Sequence, residues 1–272
     1  MTAQTIRETS QASRVGPATV GISVNGLTHR FGAGRQATLA LQNVQLDIAP
    51  GEFHCLLGPS GCGKSTLLYL IGGFIPVQEG TIRTARGAVT RPGVDRGIVF
   101  QNFALFPWKT VRQNVLYGME NLGVAKAERE ARAADLLAMV KLEKFANHYP
   151  SQLSGGMQQR AAIARTLAIE PDILLMDEPF GALDAQTRSV MQEELISIWQ
   201  RTGKIIVFVT HDVQEAVLLG DRISVMSARP GRIETIVSCD FNREKGSPVR
   251  RAGEFAEQVQ HLSALMHQQA LT

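Results

Sequence analysis

Short, unbroken apolar runs set the pattern of this chain. Residues 53–57, 97–100, 173–177, 205–210 and 222–226 are each four to six residues long and rich in Val, Ile, Leu or Phe. Runs this short suit central strands of a largely parallel sheet, buried on both faces. Two earlier segments alternate apolar with polar residues instead: 20–24 and 39–48. In the second, Leu41, Val44, Leu46 and Ile48 point inward, and Pro50-Gly51 closes it. A glycine-rich turn at 32–36 separates the two.

Helical periodicity fills much of the remainder. Residues 65–71 read as a buried helix that follows a glycine-rich loop. Residues 126–142 carry an apolar face of Ala131, Ala134, Leu137, Ala138 and Val140, and 156–168 form a second helix. Residues 110–167 therefore read as a helical insertion into an α/β core. Near the end, 254–269 place Phe255, Val259, Leu262 and Met266 at helical spacing, a packing stripe.

Composition narrows the class. The chain of 272 residues is 44% hydrophobic and 19% charged, which is globular and not disordered. A net charge of +3 is a mixed-charge surface rather than a nucleic-acid footprint. Cys55, Cys62 and Cys239 give an odd count without C-x-x-C spacing, which argues against a disulfide framework or a zinc site. No apolar run approaches the roughly 18 residues of a membrane span. The polar residues 1–17 are expected to form a flexible tail rather than a signal peptide. Any membrane role is then expected to come through a partner.

The sharpest chemical signal is Gly58-Pro59-Ser60-Gly61-Cys62-Gly63-Lys64-Ser65, followed by Thr66. It is a complete G-x-x-x-x-G-K-[ST] loop between a strand and a helix. Its glycines let successive backbone N–H groups turn inward around phosphate oxygens, and the helix start adds a positive dipole end. Lys64 brings a charge to the outer phosphates, and the Ser65 hydroxyl is a hard ligand for Mg²⁺. Residues 173–178 form an apolar strand ending in Asp177 and Glu178. At the carboxyl end of a parallel strand these acids can reach the same nucleotide, Asp177 toward Mg²⁺ and Glu178 toward an attacking water.

A second anion-binding helix start follows the first. In Leu153-Ser154-Gly155-Gly156-Met157-Gln158, Ser154 is a good N-cap and the glycines free backbone N–H groups. It lies 90 positions after Lys64. One terminal phosphate hardly needs two complete cradles from one chain. A twofold dimer, in which each copy completes the other's site, resolves the excess.

Together these residues resemble the ATP-binding-cassette transporter ATPases. The phosphate loop, Gln101, residues 153–158, residues 173–178, Gly181-Ala182-Leu183-Asp184 and His211 occur in that family's order and spacing, over about residues 20–235. The resemblance implies an α/β P-loop NTPase (RecA-like) core with an N-terminal antiparallel β subdomain and an inserted α-helical subdomain. It implies an ATPase domain over 18–240, with the helical part near 110–167, and a helical extension over 241–272. It assigns ATP and Mg²⁺ as cofactors. Phe31 would stack on adenine, although the family more often has Tyr there. Gln101 would reach Mg²⁺ and the water, beside Ser65 and Asp177. Ser154, Gly155, Gly156 and Gln158 would serve the phosphate held by the opposite copy, and Asp184 would cross the interface. Glu178 would be the general base, with His211 holding it against the terminal phosphate, and Lys64 would complete the catalytic set.

The same resemblance implies partners. Phe103, Leu105, Phe106 and Trp108 follow Gln101 and would form a groove for a short helix of a membrane permease. Residues 92–101, 105–108 and 227–232 resemble the nitrate/sulfonate/taurine branch of bacterial importers. That branch implies a site of action on the cytoplasmic face of the inner membrane, an external solute-binding protein and no nucleic-acid partner. A soluble cassette acting on DNA or the ribosome, or an exporter ATPase, is the alternative. Cys62, close to a helix start, is expected to favour its thiolate.

Overall fold

The computed structural model describes residues 21–32, 34, 37–239 and 252–270. The expected tail at 1–17 and the segment 240–251 lie outside the described residues.

Strands β1 (Ile22–Phe31) and β2 (Thr38–Ile48) pair antiparallel. Strand β3 (Phe53–Leu57) then runs through the glycine-rich loop into α1 (Lys64–Gly72). Strands β4 (Glu79–Thr84) and β5 (Gly87–Ala88) return to the first sheet, in the order β2-β1-β4-β5. Next come β6 (Arg96–Val99), α2 (Val111–Asn121), α3 (Lys126–Met139), α4 (Gly155–Leu167) and β7 (Ile173–Asp177). The chain continues through α5 (Ala185–Thr202), β8 (Ile205–Thr210), α6 (Val213–Leu219), β9 (Arg222–Met226), β10 (Ile233–Ser238) and α7 (Ala252–Ala270).

The second sheet has the order β10-β9-β3-β8-β7-β6. All its pairings are parallel except β9 with β10. Strands β3, β7 and β8 are buried at every position, which is why they read as continuous apolar runs. One hydrophobic cluster joins the antiparallel sheet to α1 and to one face of the parallel sheet, through Ile22, Leu41, Leu67, Leu175 and Val207 among others. A second covers the opposite face with the helices, through Phe53, Met176, Phe208, Leu195 and Ile163. Helix α7 lies against α6, with Leu262 fully buried and Phe255, Val259 and Met266 packed on the same cluster.

Several features depart from the sequence reading, and in α3 the buried residues are Ala133, Leu136 and Leu137, while Ala131, Ala134 and Ala138 are exposed. Strand β1 runs on to Phe31, and irregularities at Val24/Leu27, Leu27/His29 and His29/Arg30 shift its register against β2. Each shift breaks the two-residue alternation. Helix α5, unread in the sequence, is mostly polar and buries only Met191, Gln192, Leu195 and Ile198. Its signals were its ends: Asp184 as N-cap and Gly203 at φ +59° as C-cap. Strands β4, β5 and β10 have mostly exposed or half-buried residues and so lack a strong apolar pattern.

Candidate functional site

Strands β3, β7 and β8 end side by side, and their C-terminal residues converge. The phosphate loop leaves β3, the acids leave β7 and His211 leaves β8. A cleft of about 460 Å³ opens there, lined by Phe31, Thr38, Leu39, Ala40, Ser60, Gly61, Gly63, Lys64, Ser65, Thr66, Glu178 and Arg229.

Lys64 is buried, and its Nζ donates to the carbonyls of Gly58 (2.8 Å) and Pro59 (2.9 Å). The loop's own oxygens thus hold the ammonium over the bend. Gly63 has φ +99°, a conformation that strains any residue with a Cβ, and a Cβ there would lie 2.7 Å from Leu41 Cδ2. Ser65 Oγ donates to Asp177 Oδ1 at 2.8 Å, and Tyr69 OH donates to Asp177 Oδ2 at 2.7 Å. Burial, and then the neighbouring Asp177 carboxylate, push the Tyr69 phenol up to about 12. It therefore stays a proton donor to Asp177 at neutral pH. Tyr69 was not read from the sequence, yet it sits four residues after Ser65 on the same helical face.

Glu178 adopts φ +42°, which is uncommon for a residue with a side chain. Its N–H donates to Val209 O and its carbonyl accepts from Gly181 N, both at 3.1 Å. These bonds turn the side chain so that its Oε2 lies 3.1 Å from His211 Nδ1. Behind His211, Thr210 Oγ1 donates to Glu215 Oε2 at 2.5 Å and accepts from Asp212 N at 3.0 Å. Asp212 caps α6 by accepting from Gln214 N and Glu215 N. Phe31 is exposed, and its ring stands edge-on to buried His29 at 4.7 Å. Burial holds the His29 imidazole below its usual pKa, so a neutral ring supports Phe31.

The expected second cradle is elsewhere. None of Ser154, Gly155, Gly156, Gln158 or Asp184 lines the cleft. Ser154 caps α4, accepting from Met157 N at 3.4 Å, and Gln158 Nε2 donates to Leu153 O at 3.2 Å. Asp184 caps α5, accepting from Thr187 N (2.9 Å) and Thr187 Oγ1 (2.7 Å). Those bonds hold the Asp184 carboxyl below the usual carboxylate range. The two helix starts touch: a Cβ on Gly156 would meet Thr187 Cγ2 at 2.5 Å, and one on Gly155 would meet Leu183 Cδ2 at 3.2 Å. Gln101 also lies outside the cleft, exposed in the turn after β6 with its amide beside Gly181.

Cys62 corrects an expectation. Its side chain is buried, and desolvation raises its pKa despite the nearby Lys64. The thiol is therefore kept neutral, because the loop folds it inward against Gly58.

The ABC transporter family description matches residues 41–181. The chain belongs to the ABC transporter family. The taurine import ATP-binding protein TauB of Rhizobium johnstonii is 50% identical over 233 residues, 84% of this chain and 89% of the relative. The nitrate import ATP-binding protein NrtD of Synechocystis sp. is 45% identical over 251 residues, 90% of this chain and 94% of the relative. A dimeric post-hydrolysis structure of the ATP-binding cassette MJ0796, bound to ADP and Pi, superposes with a TM-score of 0.70 at 36% identity. It covers 80% of this chain and 98% of that one. The chain is accordingly an ATP-binding, ATP-hydrolysing cassette, with the α/β P-loop fold that its sequence implies.

The ABC cassette also carries an aromatic surface. Trp108 is 70% exposed and packs on Phe106 (5.6 Å), which packs in turn on Tyr117 of α2 (4.6 Å). Lys109 lies over the Tyr117 ring, and Arg165 of α4 over the Phe106 ring. Phe103 and Leu105 divide from this group, being partly buried against the core. Arg165 reaches back beneath them, donating to Phe103 O (3.1 Å) and Ala104 O (2.5 Å). Of the four residues expected to form the groove, only Trp108 is exposed, and half-buried Phe106 lies between it and exposed Tyr117. Among the described residues no helix is long and apolar enough to cross a membrane.

Proposed function

We propose that this cassette is the ATPase subunit of an importer for a small anion such as taurine, an alkanesulfonate or nitrate. In this reading it works as an ATP-dependent homodimer on the cytoplasmic face of the inner membrane. It binds separate permease subunits there, and an external solute-binding protein delivers the anion to them. The importer relatives support the direction of transport. The observation that carries the dimer is the division of the site. Lys64, Ser65 and Glu178 share one cleft, while Ser154, Gly156 and Asp184 cap helices outside it.

Phe31 would take the adenine, and residues 58–66 would cradle the phosphates with Lys64 at their outer end. A second copy would bring Ser154 and Gly156 to the terminal phosphate, completing a positioned site only when the dimer closes. Glu178, aimed by His211, would accept the proton of the attacking water. The Ser65–Asp177 pair suits Mg²⁺, which favours one or two carboxylates plus phosphate oxygens over a full protein cage. Mg²⁺, when bound, would neutralise charge on the transferring phosphoryl group. Gln101, beside Gly181, would enter from the turn that leads to the aromatic surface.

That surface, centred on Trp108 and Phe106, would receive the permease. The test is to isolate the membrane complex that contains this cassette and to screen taurine, alkanesulfonates and nitrate for stimulation of its ATPase in proteoliposomes. Stimulation by one of these, and loss of permease co-purification in Trp108→Ala, is the expected result. A complex that ignores all three, or exports solute, overturns the reading.

A further inference from the structure

Arg229, within the 227–232 stretch, lies on the wall of the cleft. It sits in the turn between β9 and β10, and that turn is fastened on two sides. Gly231 N donates to Ala40 O at 2.9 Å, and Gln42 N donates to Gly231 O at 3.0 Å. Gly231 is also pressed against the Cys62 carbonyl, leaving no room for a side chain. Within the turn, Ser227 Oγ donates to Pro230 O at 3.0 Å and accepts from Arg232 N at 3.0 Å. Arg232 in turn bonds Gln42 Oε1. The backbone that carries Arg229 is therefore fixed to both β2 and the phosphate loop.

The side chain is exposed and its charge is unspent. Its Nε makes one long bond to Gly61 O, at 3.5 Å, and among the described residues no carboxylate pairs with it. A Cβ on Gly61 would lie 3.0 Å from Arg229 Nη2, so the guanidinium lies against the tip of the loop. Gly61 has φ +78° and no side chain, and both features let the two approach. A planar fork of N–H donors beside a cradle of backbone N–H groups is chemistry for phosphate oxygens.

We propose that Arg229 is a nucleotide-binding residue, a second cation that closes on phosphate oxygens from the outer side of the loop while Lys64 holds them from within. This rests on the proposed placement of ATP in the cleft. Because the anchor is the Ser227–Arg232 turn, the charge is delivered by a rigid element and not by a free arm.

The test is equilibrium titration of the full-length protein with Mg-ADP and with a non-hydrolysable Mg-ATP analogue. Arg229→Ala should weaken both by about tenfold, as expected for loss of a charge-assisted bond. Arg229→Lys should stay within about threefold of wild type, and melting temperatures should be unchanged in the unliganded proteins. Lys64→Ala is the control for the site itself. If Lys64→Ala weakens binding but Arg229→Ala stays within twofold of wild type, Arg229 does not bind nucleotide. Equal losses in the Ala and Lys variants, with a lowered unliganded melting temperature, would make it a brace for the loop and also overturn the proposal. If neither Lys64→Ala nor Arg229→Ala changes affinity, the cleft is not the nucleotide site and both readings fall together.

Discussion

His211 Nδ1 stands 3.1 Å from Glu178 Oε2, although the two side chains leave different strands of the parallel sheet. The pairing depends on backbone as much as on side chain. Glu178 is held at φ +42° by its bonds to Val209 and Gly181, so the carboxylate turns toward β8, the strand that His211 follows. His211 acts on Glu178 from 58% exposure, against 23% for its partner, so the pair is reachable by water and by a second chain. In the proposed mechanism it is a positioning contact, whose worth is kinetic rather than structural.

His211→Ala should therefore lower kcat about 100-fold, the lower end for loss of a positioned proton-transfer or charge-stabilising group. The affinity for Mg-ADP should stay within threefold, because the phosphate loop is untouched. Steady-state ATPase assays beside ADP titrations check this. A fall in affinity equal to the fall in kcat would contradict the role.

Gly156 and Thr187 make a steric prediction. Gly156→Ala places a methyl 2.5 Å from Thr187 Cγ2 at the junction of two helix starts. Overpacking of this kind costs about 1–3 kcal/mol. Thr187→Ser removes the opposing methyl and keeps the hydroxyl that donates to Asp184. Calorimetric melting should show Gly156→Ala destabilised alone and largely restored in the double variant. Equal destabilisation in both backgrounds would place the clash elsewhere.

The sequence made the parallel core legible for a physical reason. Strands buried on both faces are written as apolar runs, and β7, β8 and β9 begin and end where those runs do. The phosphate loop was legible because its chemistry requires fixed residue types at fixed spacing. What the sequence hid are contacts made by folding. Tyr69 on Asp177 and Arg229 against Gly61 join residues far apart in the chain, whose pairing has no local pattern. Position within the phosphate loop also misled about Cys62, because proximity to a helix start says nothing of the burial that keeps its thiol neutral.

A buried polar group on the far side of β3 sets a pH dependence of stability. His54 is fully buried, with Nδ1 2.7 Å from Glu52 Oε1 and Nε2 2.8 Å from Ser224 Oγ. Arg222 bonds the Glu52 carboxylate, and Asp221 accepts from Phe53 N nearby. Burial holds the imidazole below its ordinary value of 6.5, since desolvation outweighs Glu52. The unfolded chain therefore takes up a proton below 6.5 that the folded chain resists. This contribution is complete above that pH and is lost as pH falls toward the lowered folded value. The melting temperature should decline below pH 6.5 more steeply in wild type than in His54→Gln. Parallel declines would remove His54 as the cause.

In the proposed mechanism two copies complete each ATP site, and the Glu178→Gln variant addresses this directly. The substitution keeps the shape at residue 178 while removing the proposed base, so ATP should bind but persist. With saturating Mg-ATP, light scattering after gel filtration should show Glu178→Gln as a stable dimer. Ser154→Arg in the same background, which blocks the α4 helix start, should remain monomeric while still binding one nucleotide per chain. A Glu178→Gln protein that stays monomeric with ATP bound, or a Ser154→Arg variant that dimerises as readily, would contradict the account.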